Sequence, residues 1–238
     1  MGDVQSDGAR IRTEGAGRYR TTANRAMGPS SALCQCAPWT SSEAAAIHAL
    51  VTKQFDPASA KQRLLQLVRE KAYRDGIDIT LASGKKSNFY INGKKVSLHP
   101  EGLWLIARLM LDALQRYPEV EAIGGLTIGA DPIASAIAAL SYETGQNLPA
   151  FLVRKEPKGH GTGSRIEGDL VAGQKVAIIE DTVTTGGSAS KAIQAVREVG
   201  AIPVVVLTIA DREDPDAAAF RKEFRVVPLV TLSEIRAR

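Results

Sequence analysis

The segment that most constrains the fold is Lys175–Val199, KVAIIEDTVTTGGSASKAIQAVREV. Val176, Ala177, Ile178 and Ile179 form an apolar run without alternation, the pattern of a strand buried on both faces of a parallel sheet. The run ends in two adjacent acids, Glu180 and Asp181, and passes through a Thr/Gly-rich stretch, Thr182–Ser188, into an amphipathic helix. A parallel strand delivers its last side chains to the carboxyl edge of the sheet, where open α/β sheets take their ligands. The loop offers small hydroxyls and the pair Gly186-Gly187, so its backbone N–H groups can close around an anion. The helix that follows points its partial positive end at the same place. Carboxylates suited to sugar hydroxyls, beside a cradle suited to a phosphate, read as a site for a ribose 5-phosphate. The plainer alternative is an ordinary strand–turn–helix whose acids only cap the helix, although Thr-Thr-Gly-Gly exceeds what a tight turn requires. A Walker loop and a dinucleotide fingerprint are excluded, because the chain has neither GxxxxGK(S/T) nor GxGxxG after a strand.

A second segment, Phe151–Gly168 (FLVRKEPKGHGTGSRIEG), runs from a short apolar strand into Arg154, Lys155, Lys158 and His160. These cations and the imidazole would repel one another without an anionic partner. A solvated basic loop is the alternative. Placement after a predicted strand, with Gly159, Gly161 and Gly163 in the loop, favours a mobile flap.

Around these segments the chain alternates strands and helices. Asp56-Pro57 is a helix start, with Leu64, Leu65, Val68 and Ala72 at helical spacing and Gly76 as the stop. A β-hairpin is expected over Ile77–Leu98, with Lys94 and Lys95 just past an Asn92-Gly93 turn. These lysines are either anion-binding candidates or an exposed basic hairpin end. Pro100 opens a second helix, with His99 at its start and Leu103, Ile106, Ala107, Met110, Leu111 and Leu114 as its apolar face. Asp131-Pro132 repeats the cap-plus-proline start for a third, with Ile133, Ala136, Ile137 and Leu140 inward. Strands are expected near Ala122–Thr127, Ala150–Val153, Val176–Ile179 and Val204–Ile209. This alternation predicts an α/β fold: a central parallel sheet flanked by helices.

Composition bounds the rest. A hydrophobic content of 44% over 238 residues is ample for one core with an extension. A formal net charge of +4 argues against nucleic acid as the main partner, but not against anionic small molecules. Cys34 and Cys36 lie too close together for an unstrained disulfide and lack the further ligands of a metal site, so they read as free thiols in a reducing compartment. No apolar run approaches the roughly 20 residues of a membrane span, and no secretory signal is recognisable. Met1–Thr40 is rich in Gly, Arg, Ser, Thr and Ala without periodicity. Residues 1–55 are expected to be a disordered extension and residues 56–238 one domain. A transit peptide, opposed by Asp3, Asp7 and Glu14, and a true start at Met27 both stay open for the extension. His48 has no chemical context.

The Lys175–Val199 segment resembles the phosphoribosyl-pyrophosphate (PRPP) signature of type I phosphoribosyltransferases, and RKEPKGHG resembles the catalytic loop of the orotate phosphoribosyltransferases. SGKKSNFYING (Ser83–Gly93), GGLTIGADPIASAIA (Gly124–Ala138) and ADR (Ala210–Arg212) extend the resemblance, in order, from about Lys61 to the C-terminus. The resemblance implies this fold with a small hood over the base, and a homodimer whose catalytic loop closes over the neighbouring subunit's site. It implies a cytoplasmic enzyme of pyrimidine (UMP) biosynthesis that makes orotidine 5′-monophosphate and pyrophosphate from PRPP and orotate. By this resemblance Glu180 and Asp181 hold the ribose hydroxyls, and the loop Thr182, Val183, Thr184, Thr185, Gly186, Gly187 and Ser188 holds the 5-phosphate. Arg154, Lys155, Lys158 and His160 engage pyrophosphate, with Mg²⁺ bound mainly through substrate and water. Thr184 and Arg212 contact orotate, and the run Phe89-Tyr90-Ile91 can flank its planar ring. Two departures stand out. Many members carry a lysine where this chain has Ala82, and Tyr-Lys where it has Ile128-Gly129. A transferase for another base and a non-catalytic PRPP-sensing regulator are the competing readings. The latter is opposed by the intact basic loop and by the lack of a helix-turn-helix pattern in Met1–Thr40.

Overall fold

The computed structural model describes residues 55–80, 86–156 and 164–237, all within one compact unit, Gln54–Arg238. The readings of the N-terminal extension, Cys34, Cys36, His48, Ala82, Lys158 and His160 lie outside the described residues.

Helix α1 (Pro57–Leu67) starts as its sequence dictates: the Asp56 carboxylate accepts from the Ala58 and Ser59 N–H groups, with proline in the first turn. Its last turn widens into a π-helical stretch, Val68–Ala72, and ends there, not at Gly76. Tyr73 already pairs with Ile91 in the hairpin β1 (Tyr73–Thr80) and β2 (Lys86–Ile91). Gly76, at φ +66°, serves the irregularity between Asp75 and Ile79 rather than a helix stop. The hairpin also ends earlier than expected. Asn92-Gly93 leads into a short helix, α2 (Lys94–Ser97), as Val96 and Ser97 donate to the Gly93 carbonyl.

Helix α3 (Pro100–Leu114) is capped by His99, whose Nδ1 accepts from Gly102 N at 3.4 Å. Its buried face is wider than one stripe and includes Leu105, Leu109 and Ala113, because it packs under both the sheet and α1. Helix α4 (Asp131–Glu143) corrects a capping assignment. Ala130 holds the cap position without a side-chain bond, Asp131 is the first helical residue, and its Oδ1 is buried without a partner. Burial pushes that carboxyl above its ordinary value.

The remaining strands are β3 (Ala122–Leu126), β4 (Ala150–Val153), β5 (Ile166–Glu167), β6 (Lys175–Val183), β7 (Ile202–Asp211) and β8 (Val226–Thr231). They form a six-stranded sheet in the order β5-β4-β3-β6-β7-β8, parallel except for the short β5 against β4. Helices α5 (Gly187–Glu198), α6 (Ala218–Glu223) and α7 (Leu232–Arg236) complete the chain. Ala177 and Ile179 join a core with α1, α3 and α4, while Val176 and Ile178 join a second core with α5 and Phe220 of α6. Burial on both faces is why this strand is apolar without alternation. From β3 the chain builds outward to β4, then returns to β6 on the other side. The β3–β6 boundary is therefore the topological switch point, where the carboxyl ends open a crevice.

Candidate active site

A cavity of about 590 Å³ opens at the carboxyl end of β6, beneath the β1–β2 hairpin. Its lining includes Ile79, Thr80, Tyr90, Ile91, Asn92–Lys94, the whole run Glu180–Ser188, Lys191 and Arg212. One wall is local in sequence. Glu180 and Asp181 lie within β6, 7% and 9% exposed, and α5 starts on Gly186 without a side-chain cap. The two acids are therefore not helix caps. They stand at the cavity edge, and the first N–H groups of α5, at Gly187 and Ser188, have no intrahelical partner. Gly186 has φ +84°, and a Cβ there would stand 2.4 Å from the Phe220 ring, so both backbone and space demand glycine. Thr182 Oγ1 is buried without a hydrogen-bond partner beside the acids.

Electrostatics separate the two acids. Burial, and then the neighbouring Asp181 charge, push the Glu180 carboxyl up to about 8. Asp181 Oδ2 instead accepts from Lys94 Nζ at 2.6 Å. Burial pulls the Lys94 ammonium down, but the hydrogen bond and charge of Asp181 outweigh it and hold it above its ordinary value. Of the lysines flagged in the sequence, Lys94 thus enters the cavity and Lys95 stays exposed outside its lining.

A second part of the lining is assembled from distant segments. Arg212, just past β7, is 3% exposed, and its backbone N–H donates to the Val183 carbonyl at 3.0 Å. Its guanidinium lies 4.3 Å from the Phe89 ring centroid, and Nη2 donates to Ser87 Oγ at 3.0 Å. Nε is buried without a partner, and burial pulls the group below its ordinary value. A buried guanidinium with donors to spare suits a carboxylate ligand. Arg236 of α7 stacks on Phe89 too, at 4.6 Å, and its Nε donates to Tyr73 Oη at 2.9 Å. Phe89 is therefore packed by two guanidiniums, while Tyr90 lines the cavity.

Every expected PRPP-loop and orotate residue, Glu180 to Ser188 and Arg212, lines this cavity. Arg154 and Lys155 do not. Arg154 Nη1 donates to Glu167 Oε1 at 3.1 Å across the β4–β5 edge, and Lys155 is exposed. Sequence reading missed Ser87, Lys191 and Arg236. Lys191 carries a local signal, being one turn into the helix after the loop, but Arg236 is recognisable only in space. No group of three or more metal-ligating side chains occurs among the described residues. Such a lining suits a Mg²⁺ bound mainly through substrate and water rather than by a protein cage.

No family model matches the chain. Among curated proteins, it is 48% identical over 179 residues to an orotate phosphoribosyltransferase of Thermosynechococcus vestitus, covering 75% of this chain and 92% of that one. A Rhodopirellula baltica protein of the same name is 44% identical over 178 residues, covering 73% and 91%. Among solved structures, the Mycobacterium tuberculosis orotate phosphoribosyltransferase in complex with PRPP superposes with a TM-score of 0.61 at 35% identity, covering 75% of this chain and 99% of that one. The chain belongs to the orotate phosphoribosyltransferase family.

Proposed function

We propose that this cavity transfers the 5-phosphoribosyl group from PRPP to orotate, giving orotidine 5′-monophosphate and pyrophosphate for pyrimidine (UMP) biosynthesis. One observation carries the reading. A single lining combines paired carboxylates, an uncapped helix start on a glycine loop, and a buried arginine with an unpartnered donor. These match, respectively, ribose hydroxyls, a 5-phosphate and the carboxylate of orotate. The buried Arg212 favours this acidic pyrimidine over a purine.

The roles follow from charge. Asp181 and Glu180 accept hydrogen bonds from the ribose hydroxyls, and Thr182, Val183, Thr184, Thr185, Gly186, Gly187 and Ser188 enclose the 5-phosphate, with Lys191 beside them. Burial and the Asp181 charge favour the protonated form of Glu180, whose carbonyl oxygen can still accept from a ribose hydroxyl. Arg212 and Thr184 orient orotate, with Tyr90 beside the ring. Breaking the anomeric C–O bond leaves positive charge on the ribose and negative charge on pyrophosphate, so cations must be in place beforehand. Arg154, Lys155, Lys158 and His160 supply that charge as a flap, which would shut water out of the neighbouring subunit's cavity in a homodimer. Of these, Arg154 and Lys155 stand off this chain's own cavity lining, which supports action in trans. Mg²⁺, bound mainly through substrate and water, would supply further charge neutralisation on the leaving group. Residues 56–238 form the transferase domain. No described helix is long and apolar enough to cross a membrane, and the proposed setting is the cytoplasm.

The test is turnover with PRPP, Mg²⁺ and orotate, following orotate loss and pyrophosphate release together, with adenine and guanine in parallel and Lys158→Ala as control. Magnesium-dependent turnover with orotate alone, lost in the control, is expected. Turnover with a purine instead would overturn the role of Arg212, and PRPP binding without turnover on any base would point to a sensor.

A further inference from the structure

The cations lining the cavity, among the described residues, are Lys94, Lys191 and Arg212. They stand at separate places. Lys191 lies one turn into α5 beside the glycine loop, and Arg212 is tied to Val183 and Phe89. Lys94 is at the acidic pair, with Nζ on Asp181 Oδ2 at 2.6 Å. On the reading above, the ligands bring three separated anionic groups: a 5-phosphate, a carboxylate and a diphosphate. The first two are met by Lys191 with the loop, and by Arg212. The diphosphate leaves from the anomeric carbon, which adjoins the ribose hydroxyls that the acidic pair would hold. Lys94 is the cation at that end.

We propose that Lys94 is a diphosphate-binding residue of this cavity, its ammonium bridging Asp181 and the pyrophosphate group of PRPP. This rests on the PRPP reading of the site. An ammonium has three donors, and the hydrogen bond to Asp181 is the one Lys94 Nζ makes among the described residues. Its side chain is 44% exposed and lines the cavity, so the remaining donors are open to it, whereas the Asp181 side chain is 12% exposed and belongs to the strand. The space around Asp181 is also kept clear. A Cβ at Gly129 would stand 3.2 Å from Asp181 Cγ, and one at Gly93 would stand 3.0 Å from Thr182 Oγ1. Glycine at both positions keeps side chains from crowding the carboxylate that Lys94 holds. A flexible stem lets the ammonium follow the diphosphate as it departs without releasing Asp181.

The experiment separates a diphosphate ligand from a mere partner of Asp181. PRPP and ribose 5-phosphate share the ribose and the 5-phosphate, and only PRPP carries the diphosphate. Calorimetric titration of both, with Mg²⁺, into wild type, Lys94→Met and Lys94→Arg is the direct measurement. Loss of one charge-assisted contact should weaken PRPP by about ten- to hundredfold in Lys94→Met. Ribose 5-phosphate should stay within about threefold, which also reports that the variant is folded, and Lys94→Arg should recover most of the PRPP affinity. Equal weakening of both ligands would mean that Lys94 acts only through Asp181 and would overturn the proposal, as would no weakening of either. Wild type that binds ribose 5-phosphate and PRPP equally would also overturn it. Failure of wild type to bind PRPP at all would overturn the PRPP reading on which it stands.

Discussion

The two walls of the cavity are built in opposite ways. The phosphate wall is one continuous stretch, Glu180–Ser188 with the start of α5, positioned by a strand buried on both faces. The base wall is Arg212 after β7 with Tyr90 of β2, backed by Ser87 and Phe89 of β2 and by Arg236 of α7, residues far apart in the chain. A local wall depends on backbone conformation and fails when that conformation is denied. An assembled wall depends on side-chain contacts and degrades gradually, one contact at a time. On the proposed reading, the wall that recognises the shared phosphoribosyl group is the rigid one, and base selectivity rests on the tunable one.

The contrast can be broken most severely at Gly186. Gly186→Ala must adopt φ +84° with its Cβ against Phe220. The strain and overpacking should cost about 2–5 kcal/mol in chemical denaturation and abolish ribose 5-phosphate binding. Retention of normal binding would show that the loop is not held by backbone geometry. A smaller effect is expected at Arg236, which touches the base wall only through Phe89 and Tyr73. Arg236→Met should raise the KM for orotate by about two- to fivefold, leaving kcat and the KM for PRPP unchanged. In a Phe89→Leu background the same change should have no further effect on orotate, whereas a generally structural role would still show one.

The smallest effect sharpens the picture of the acidic pair. Glu180 has its folded value raised to about 8 from an ordinary 4.5. Between those values the native state keeps a proton that the unfolded chain has lost, so this group makes stability fall as pH rises through that window and level off above it. Glu180→Gln should flatten the fall, and denaturation midpoints from pH 5 to pH 9 would show it. An unchanged slope would mean that Glu180 is charged in the free cavity. At pH 7, PRPP binding that demands the carboxylate should release protons, detectable as a dependence of the binding heat on buffer ionisation enthalpy.

The phosphate wall was legible because each of its requirements is met within a few residues: an apolar run, two acids, a glycine that permits positive φ, and a helix. Arg212 was visible only through resemblance, since nothing local distinguishes a buried strand-end arginine from an exposed one. Its burial comes from Phe89 and Ser87. The hairpin boundaries shifted because Gly76 and Asn92-Gly93 are compatible with several turns, and strand pairing chose among them. Asp131 read as a cap from its proline neighbour, but the chain enters α4 one residue earlier, at Ala130. The β8 strand, VVPLVT, was not anticipated, because its proline argues against a strand. It lies at the sheet edge, where a missing N–H is tolerated.

The most direct test of the account is the ratio of kcat/KM for orotate to that for uracil, which lacks only the carboxylate, in wild type and in Arg212→Met. A site built around a buried charged donor should favour orotate by about 10⁴ or more. Arg212→Met should cut that preference to about tenfold or less while the KM for PRPP stays within about threefold. A preference that survives the substitution, or a PRPP site that fails along with it, would contradict the division of the cavity into a phosphate wall and a base wall.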